Sequence, residues 1–272
     1  VGTHQSDTPA HTDSADRPAA VILAAGRGTR MRSDLPKVVH EVGGRPMVAI
    51  VADACAQVGC DPIVAVVGHG REHVESALAG AGGGAQVRFA LQAEQLGTGH
   101  AVLAAAPALE DVGADRDVLV LCGDGPLIRS ATLQTLLAAH RSAGAAATLA
   151  TAVVEDPTGY GRIVRDGDGR FTGIVEHKHA TPDQRAIGEI NPSYYCFRLG
   201  PLLDALTRVE RHGASGEYYL TDVPALLLAD GRTVEVVEAV PPEDVLSINT
   251  PEQLAEVDRL YRARAQARGA MA

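Results

Sequence analysis

The sequence predicts an α/β fold: a doubly wound, mostly parallel sheet in the first half, with a more antiparallel portion in the second. Three observations point to it. Between residues 19 and 121, short apolar runs alternate with stretches of helical periodicity, the pattern of parallel strands joined by crossover helices. The first run, Ala19-Ala20-Val21-Ile22-Leu23-Ala24-Ala25, is continuously apolar, as a strand covered on both faces must be. From Thr148 onward, strand-like runs follow one another with turns such as Asp166-Gly167-Asp168-Gly169 between them.

The elements follow in order. The first strand ends in the turn Gly26-Arg27-Gly28-Thr29-Arg30. Met47–Val58 has helical periodicity and stops at Gly59; Pro62–Val67 is an apolar strand stopped by Gly68. Arg71–Leu78 is a short helix, Gly80–Gly84 a turn and Gln86–Leu91 a third strand. Thr98–Ala106 is a helix, and Asp117–Leu121 is a fourth strand leading into Cys122-Gly123-Asp124-Gly125-Pro126. In the second half Thr148–Val154, Arg162–Arg165, Phe171–Glu176 and Tyr194–Arg198 read as strands, Pro201–Arg211 and Tyr219–Ala229 as helices, and Thr233–Glu238 as a strand. Thr250 is the expected N-cap of the last helix, with Pro251 at its first position and Gln253 completing a capping box. Residues 1–18 carry almost no apolar side chains and are expected to be a disordered tail. The rest, 19–272, is expected to be one domain with halves at about 19–145 and 146–249 and a C-terminal helix over 250–268.

Of the 272 residues, 46% are hydrophobic, which allows a substantial core. The formal charge of -10 argues against a general binder of nucleic acid or anionic membrane. Any bound phosphate must then be held by local charge and metal. The four cysteines, Cys55, Cys60, Cys122 and Cys196, form no C-x-x-C and suit neither a zinc site nor a disulfide framework. No run reaches the length of a transmembrane helix, and the first residues lack the charged and apolar regions of a signal peptide, so the expected location is cytoplasmic. Lys37 and Lys178 are the only lysines in a chain rich in arginine, alanine and glycine. A coding bias that replaces interchangeable lysines spares those needed as lysine.

The stretch Leu23–Lys37, LAAGRGTRMRSDLPK, concentrates the chemistry. Two glycines allow a tight turn and close backbone approach, and successive N–H groups in such a turn can cradle phosphates. Arg30 offers a planar fork for phosphate oxygens and Lys37 a compact charge. Met31 stands where G-x-G-x-x-G would need its third glycine, and no G-x-x-x-x-G-K-[ST] is present, so both the dinucleotide fingerprint and the Walker A loop are excluded. Strand ends are where open α/β sheets bind ligands, and Gly26–Arg30, Gln92–Thr98 and Asp124 all fall there. Gln92 offers an amide donor and acceptor to a base edge, and Thr98 opens a helix whose N-terminus favours anions. Asp124 follows a buried strand, where a carboxylate is costly unless paired or metal-bound.

As whole strings, Gly26–Lys37 and Leu91-Gln92-Ala93-Glu94-Gln95-Leu96-Gly97-Thr98-Gly99-His100-Ala101 resemble the signatures of the sugar-1-phosphate nucleotidyltransferases. The similarity is greatest to the uridyltransferase domain of bacterial N-acetylglucosamine-1-phosphate uridyltransferase and runs from about Val21 to Asn249. It implies the Rossmann-like nucleotide-diphospho-sugar transferase fold. It also implies a Mg²⁺-dependent reaction of a nucleoside triphosphate with a sugar 1-phosphate, giving a nucleoside-diphosphate sugar and pyrophosphate. Under this resemblance Arg30 and Lys37 are catalytic. Leu23, Ala25, Gly26, Gly28, Thr29, Gln92, Gly97 and Thr98 bind the nucleotide. Gly161, Glu176, Asn191, Tyr219 and Thr221 bind the sugar, and Asp124 and Asn249 hold Mg²⁺. His100 is expected to be structural. UTP and N-acetylglucosamine 1-phosphate are the implied substrates, with no nucleic-acid or membrane partner; a homo-oligomer stays open.

The chain also departs from those relatives. Asn191-Pro192-Ser193 stands for Asn-Thr-Gly, Gly123-Asp124-Gly125-Pro126 for Gly-Asp-Val-Pro, and Thr250 for a second Asn. No hexapeptide repeat, the mark of the acetyltransferase half of bifunctional relatives, occurs. The departures lie near sugar and metal. They keep open another hexose or a cyclitol 1-phosphate, with GTP or another nucleotide, in a secondary-metabolite pathway. A non-catalytic nucleotide-sugar sensor is a further alternative, weighed against by Arg30, Lys37 and Asp124; an NAD oxidoreductase is weighed against by Met31.

Overall fold

The computed structural model describes residues 17–26, 28–213 and 215–269. The first half runs β1 (Ala19–Leu23), the small hairpin β2 (Glu41–Val42) and β3 (Arg45–Pro46), α1 (Met47–Gln57), β4 (Ile63–Val67), α2 (Arg71–Leu78), β5 (Val87–Leu91), α3 (Thr98–Ala104), β6 (Asp117–Cys122) and α4 (Ser130–Ala143). The second runs β7 (Ala147–Val153), β8 (Gly161–Arg165), β9 (Phe171–Val175), α5 (Pro182–Arg185), β10 (Glu189–Arg198), α6 (Leu199–Leu206), α7 (Val223–Ala229), β11 (Val234–Glu238) and α8 (Pro251–Gly269).

The main sheet has the order β11-β7-β10-β6-β1-β4-β5. All its pairings are parallel except those of β10, which runs antiparallel between β6 and β7. Alternation along β1 sends Ala20 and Ile22 to one face and Ala19 and Val21 to the other. On the first face they pack with Val48, Val51, Val74 and Leu133 of α1, α2 and α4; on the second, with Val102, Leu202 and Leu227 of α3, α6 and α7. Complete burial of a strand on both sides is what its unbroken apolar run demands. A third cluster joins Met31 from the glycine loop, Met47 and Ile50 of α1, Ile248, and Val257 of α8. It fixes the loop after β1 and the segment before α8 to one another.

The described residues depart from the sequence reading in several places. Arg17 and Pro18, assigned to the tail, are anchored. Arg17 donates to Gly59 O (3.2 Å) and Asp61 Oδ2 (2.9 Å), and the buried Pro18 accepts from the Asp61 N–H (2.8 Å). The remainder of that tail, 1–16, lies outside the described residues. Helix α4 was not foreseen, although Leu133, Leu136, Leu137 and His140 carry the i, i+3, i+4, i+7 pattern on its buried face. Helix α6 begins before Pro201 and ends at Leu206. The expected helix over 219–229 opens instead as a 3-10 turn over Leu220–Asp222, and α7 proper starts at Val223, with Pro224 in its first turn where a missing N–H costs nothing.

The antiparallel portion grows out of β10. Its start pairs with β8 (Ile190 with Arg162, Asn191 with Gly161), β8 pairs with β9, and the register breaks between Ile190 and Tyr194 before β10 joins β6. This bulge is Asn191-Pro192-Ser193. Pro192 has no N–H for a ladder, and Ser193 takes φ 65°, a left-handed conformation that glycine adopts more cheaply. Ser193→Gly should therefore stabilise the fold by about 1 kcal/mol, the left-handed penalty of one residue, and raise Tm by roughly 2–4 °C. A thermal melt checks this; an unchanged or lower Tm would mean that the Ser193 side chain is worth more than the strain.

Candidate active site

The site lies at the carboxyl ends of β1, β5 and β6 and on the inner face of the bulge. Lys37 opens a short turn just after Pro36 and reaches back under the glycine loop. Gly28 has φ 60°, and a Cβ on it would stand 2.5 Å from the Cβ of Lys37. Glycine is required there because the lysine packs on its backbone. The Lys37 ammonium donates to Asp124 Oδ2 and to Asn249 Oδ1, the latter at 3.0 Å. Arg30, exposed at the mouth, donates to the same Asn249 oxygen at 2.9 Å. Lys37 and Asp124 are only 16% and 15% exposed, so their charges act through little solvent.

Asn249 owes its place to α8. Thr250 caps that helix, accepting from the Gln253 N–H at 3.3 Å, but Gln253 Oε1 reaches past the cap to the Asn249 N–H at 2.8 Å. The expected capping box is shifted by one residue and clamps the candidate ligand.

The donor set suits Mg²⁺. A carboxylate and an amide oxygen converge on one cation, the Lys37 ammonium, and hard oxygen donors are what that ion prefers. Among the described residues no group of three or more His, Cys, Asp or Glu could hold a metal. Two protein oxygens leave the remaining positions to phosphates and water, as is usual for Mg²⁺ at phosphoryl centres.

Two cavities meet at this point. One, of about 280 Å³, is lined by Leu23, Ala25, Gly26, Lys37, Gln92, Gly97, Thr98 and Asp124. The other, of about 350 Å³, is lined by Arg30, Asp124, Gly161, Glu176, Asn191, Ser193 and Asn249. Cys122 and Asp124 belong to both. Burial and the neighbouring Asp124 charge push the Cys122 thiol up to about 12, so it stays protonated and is no nucleophile at neutral pH.

Several expected residues stand in altered roles. The two Gln92 amide hydrogens face Gly97 O at 3.1 Å and His100 Nδ1 at 3.0 Å, leaving only the acceptor of the expected donor–acceptor pair. The N-terminus of α3 is covered rather than open to anions: Gly99 N–H donates to Tyr218 O (2.9 Å), and Thr98 Oγ1 accepts from Leu220 N–H (3.0 Å). Of the expected sugar residues, Gly161, Glu176 and Asn191 share the second cavity. Thr221 joins them by donating to Glu176 Oε1 at 3.1 Å. Tyr219 lines the first cavity and donates to Glu217 Oε2 at 2.8 Å. Asn191 is buried, with Nδ2 on the Tyr195 hydroxyl (2.6 Å) and Oδ1 accepting from Ser193 N–H (3.1 Å), so its amide braces the bulge. The backbone of Thr29 opens the 3-10 turn after Gly28.

Cavity-lining residues that sequence reasoning did not single out include Gln95 and Glu217 in the first and Tyr160 and Ser247 in the second. Gln95 sits inside the second signature string, Leu91–Ala101. Gly125 and Tyr194 also explain each other: a Cβ at Gly125 would meet the Tyr194 hydroxyl at 2.7 Å. A side chain at position 125 would crowd the buried Tyr194 hydroxyl, so glycine suits this neighbour.

Comparisons with known proteins show relatives of this chain. The chain is 51% identical over 246 residues to the bifunctional protein GlmU of Pelotomaculum thermopropionicum and 49% identical over 245 residues to that of Geobacillus thermodenitrificans. In each case 90% of this chain is covered and 52% of the relative, so the chain spans about half the length of the curated relatives it matches. The crystal structure of UDP-glucose pyrophosphorylase complexed with UDP-glucose superposes with a TM-score of 0.73 at 16% identity, over 91% of this chain and 99% of that one, and shares its fold. Residues 20–217 match the MobA-like NTP transferase domain, and with the glycine loop, Lys37 and Asp124 all inside that span, the chain belongs to this family of nucleotidyltransferases.

Proposed function

We propose that this domain transfers a nucleotidyl group from a nucleoside triphosphate to a sugar 1-phosphate, releasing pyrophosphate, with UTP and N-acetylglucosamine 1-phosphate as the pair. The observation that carries this is the pair of cavities meeting at Asp124, which Lys37 contacts, with Arg30 lining the second cavity and bonded to Asn249. A nucleotide in the first cavity and a sugar phosphate in the second would bring their phosphates together there. The half up to about residue 145 would serve mainly the nucleotide and the half up to 249 mainly the sugar.

An oxygen of the sugar phosphate attacks the α-phosphorus, a P–O bond forms, and the bond to the bridging oxygen of pyrophosphate breaks in line. The attacking phosphate is already ionised, so no protein nucleophile or base is needed. Catalysis is positioning plus neutralisation of charge on the transferring group. Lys37 leaves its two oxygen partners for the phosphate oxygens, and Arg30 holds the triphosphate from outside. Asp124 and Asn249 would hold Mg²⁺, which would offset phosphate charge when bound. Glu176, braced by Thr221, accepts from sugar hydroxyls. The −10 charge and the expected cytoplasmic location suit a small-molecule reaction.

One observation favours a second reading. Ser193 puts a side chain on the wall beside Asn191 and Pro192 removes a donor, so the second cavity is shaped unlike the Asn-Thr-Gly of relatives. That supports another hexose or a cyclitol 1-phosphate. A matrix of nucleotides against sugar and cyclitol phosphates, read by pyrophosphate release, decides between them. The highest kcat/KM is expected with UTP and N-acetylglucosamine 1-phosphate, lost with EDTA and restored by Mg²⁺. A higher value with a cyclitol phosphate would establish the second reading. Release from no combination would leave a binding protein.

A further inference from the structure

The clamp on Gln92 bears on which base the first cavity takes. The side chain is 97% buried. Its amide orientation follows from its neighbours, because Gly97 O, at 3.1 Å, can only accept and must face the NH₂ group. The second amide hydrogen points at His100 Nδ1, at 3.0 Å, which must then be the unprotonated nitrogen of a neutral ring. Gln92 Oε1 has no partner among the described residues and is the free polar atom of a side chain that lines the cavity. The backbone N–H of Gln92 is held by Val67 O at 2.8 Å and its carbonyl by Gln95 Nε2 at 3.3 Å, so the residue cannot swing away.

We propose that His100 is a positioning residue: with Gly97 O it locks the Gln92 amide oxygen toward the base, so that the site takes a pyrimidine carrying a ring N3–H, uracil or thymine, and rejects cytosine. This rests on the reading of the first cavity as the nucleotide site. Uracil N3–H donates to Oε1. Cytosine presents an unprotonated N3 there, and two acceptors face each other. A flipped amide would suit cytosine, but it would set Oε1 against Gly97 O and require His100 to change tautomer. His100 thus acts through Gln92 and does not touch the nucleotide.

The test is nucleotide affinity by calorimetry with Mg²⁺, without sugar phosphate, so that it is independent of whether pyrophosphate is ever released. The wild-type protein should bind UTP and dTTP at least tenfold more tightly than CTP. His100→Leu removes the acceptor and should narrow the UTP-to-CTP ratio about tenfold, mainly through UTP. His100→Asn places an amide oxygen close to where Nδ1 stood and should restore most of the ratio. A merely structural histidine would weaken both nucleotides alike and leave the ratio unchanged, which would overturn the proposal. So would equal wild-type affinity for UTP and CTP, a measurement that needs no variant to fold. Gln92→Leu should abolish the discrimination, and a ratio that survives it would place base selection elsewhere.

Discussion

Replacing Lys37 with alanine is expected to lower kcat by about 100-fold or more, the usual cost of one preorganised electrostatic stabiliser. The ammonium is a cation held on Asp124, where the two cavities meet, and the packing that holds it is specific. Its carbons lie on Gly28, and its head is gripped by Asp124 and Asn249. Steady-state kinetics on Lys37→Ala checks this, with KM for the sugar phosphate changing less than kcat. Gly28→Ala should reproduce much of the loss, since its new methyl would occupy the space of the lysine Cβ and would itself be strained at φ 60°. Near wild-type turnover in Lys37→Ala would remove Lys37 from the mechanism.

Asp124→Asn should be comparably severe, with a fall in kcat of roughly 100-fold at ordinary Mg²⁺ and a higher Mg²⁺ requirement. The substitution keeps the shape of the side chain and deletes its charge. That charge both restrains Lys37 and offers the only carboxylate among the two candidate metal ligands. Cys122→Ser, two residues away on the same cavity wall, should behave almost as wild type, because a thiol pushed up to about 12 carries no charge to lose. Full activity of Asp124→Asn at ordinary Mg²⁺ would move the metal elsewhere.

Strands β1, β4 and β6 were legible because they are buried on both faces and so are apolar almost throughout; the edge strand β5, with Arg88 in it and Phe89 exposed, was legible from its place between a glycine turn and a helix. Helix α2 was legible to the residue, bounded by Gly70 and the glycine turn. The course of β10 was not. The sequence reading begins the strand at Tyr194, after Pro192, yet it starts at Glu189, passes through a bulge and enters the main sheet beyond it. In the site, residue types were legible as whole strings, but not the bonds between them. That Gln92 spends its donors on Gly97 and His100, or that Gln253 reaches past its cap to Asn249, depends on side-chain directions that spacing leaves open.

The place of β10 governs how the chain can be made. Strand β6 is paired with β1 on one side and with β10 on the other. Until Arg198 has been synthesised, the second side of Val118–Leu121 is an apolar, unpaired ladder. At ribosomal speeds of 5–20 residues per second, that ladder waits roughly 4–15 s for its partner after Cys122 emerges. An open edge of this kind is a template for pairing with a neighbouring copy. The first 145 residues expressed alone should therefore aggregate, and adding the missing half in trans should rescue little. The parts that would hold nucleotide and sugar are separable on paper but not on the ribosome.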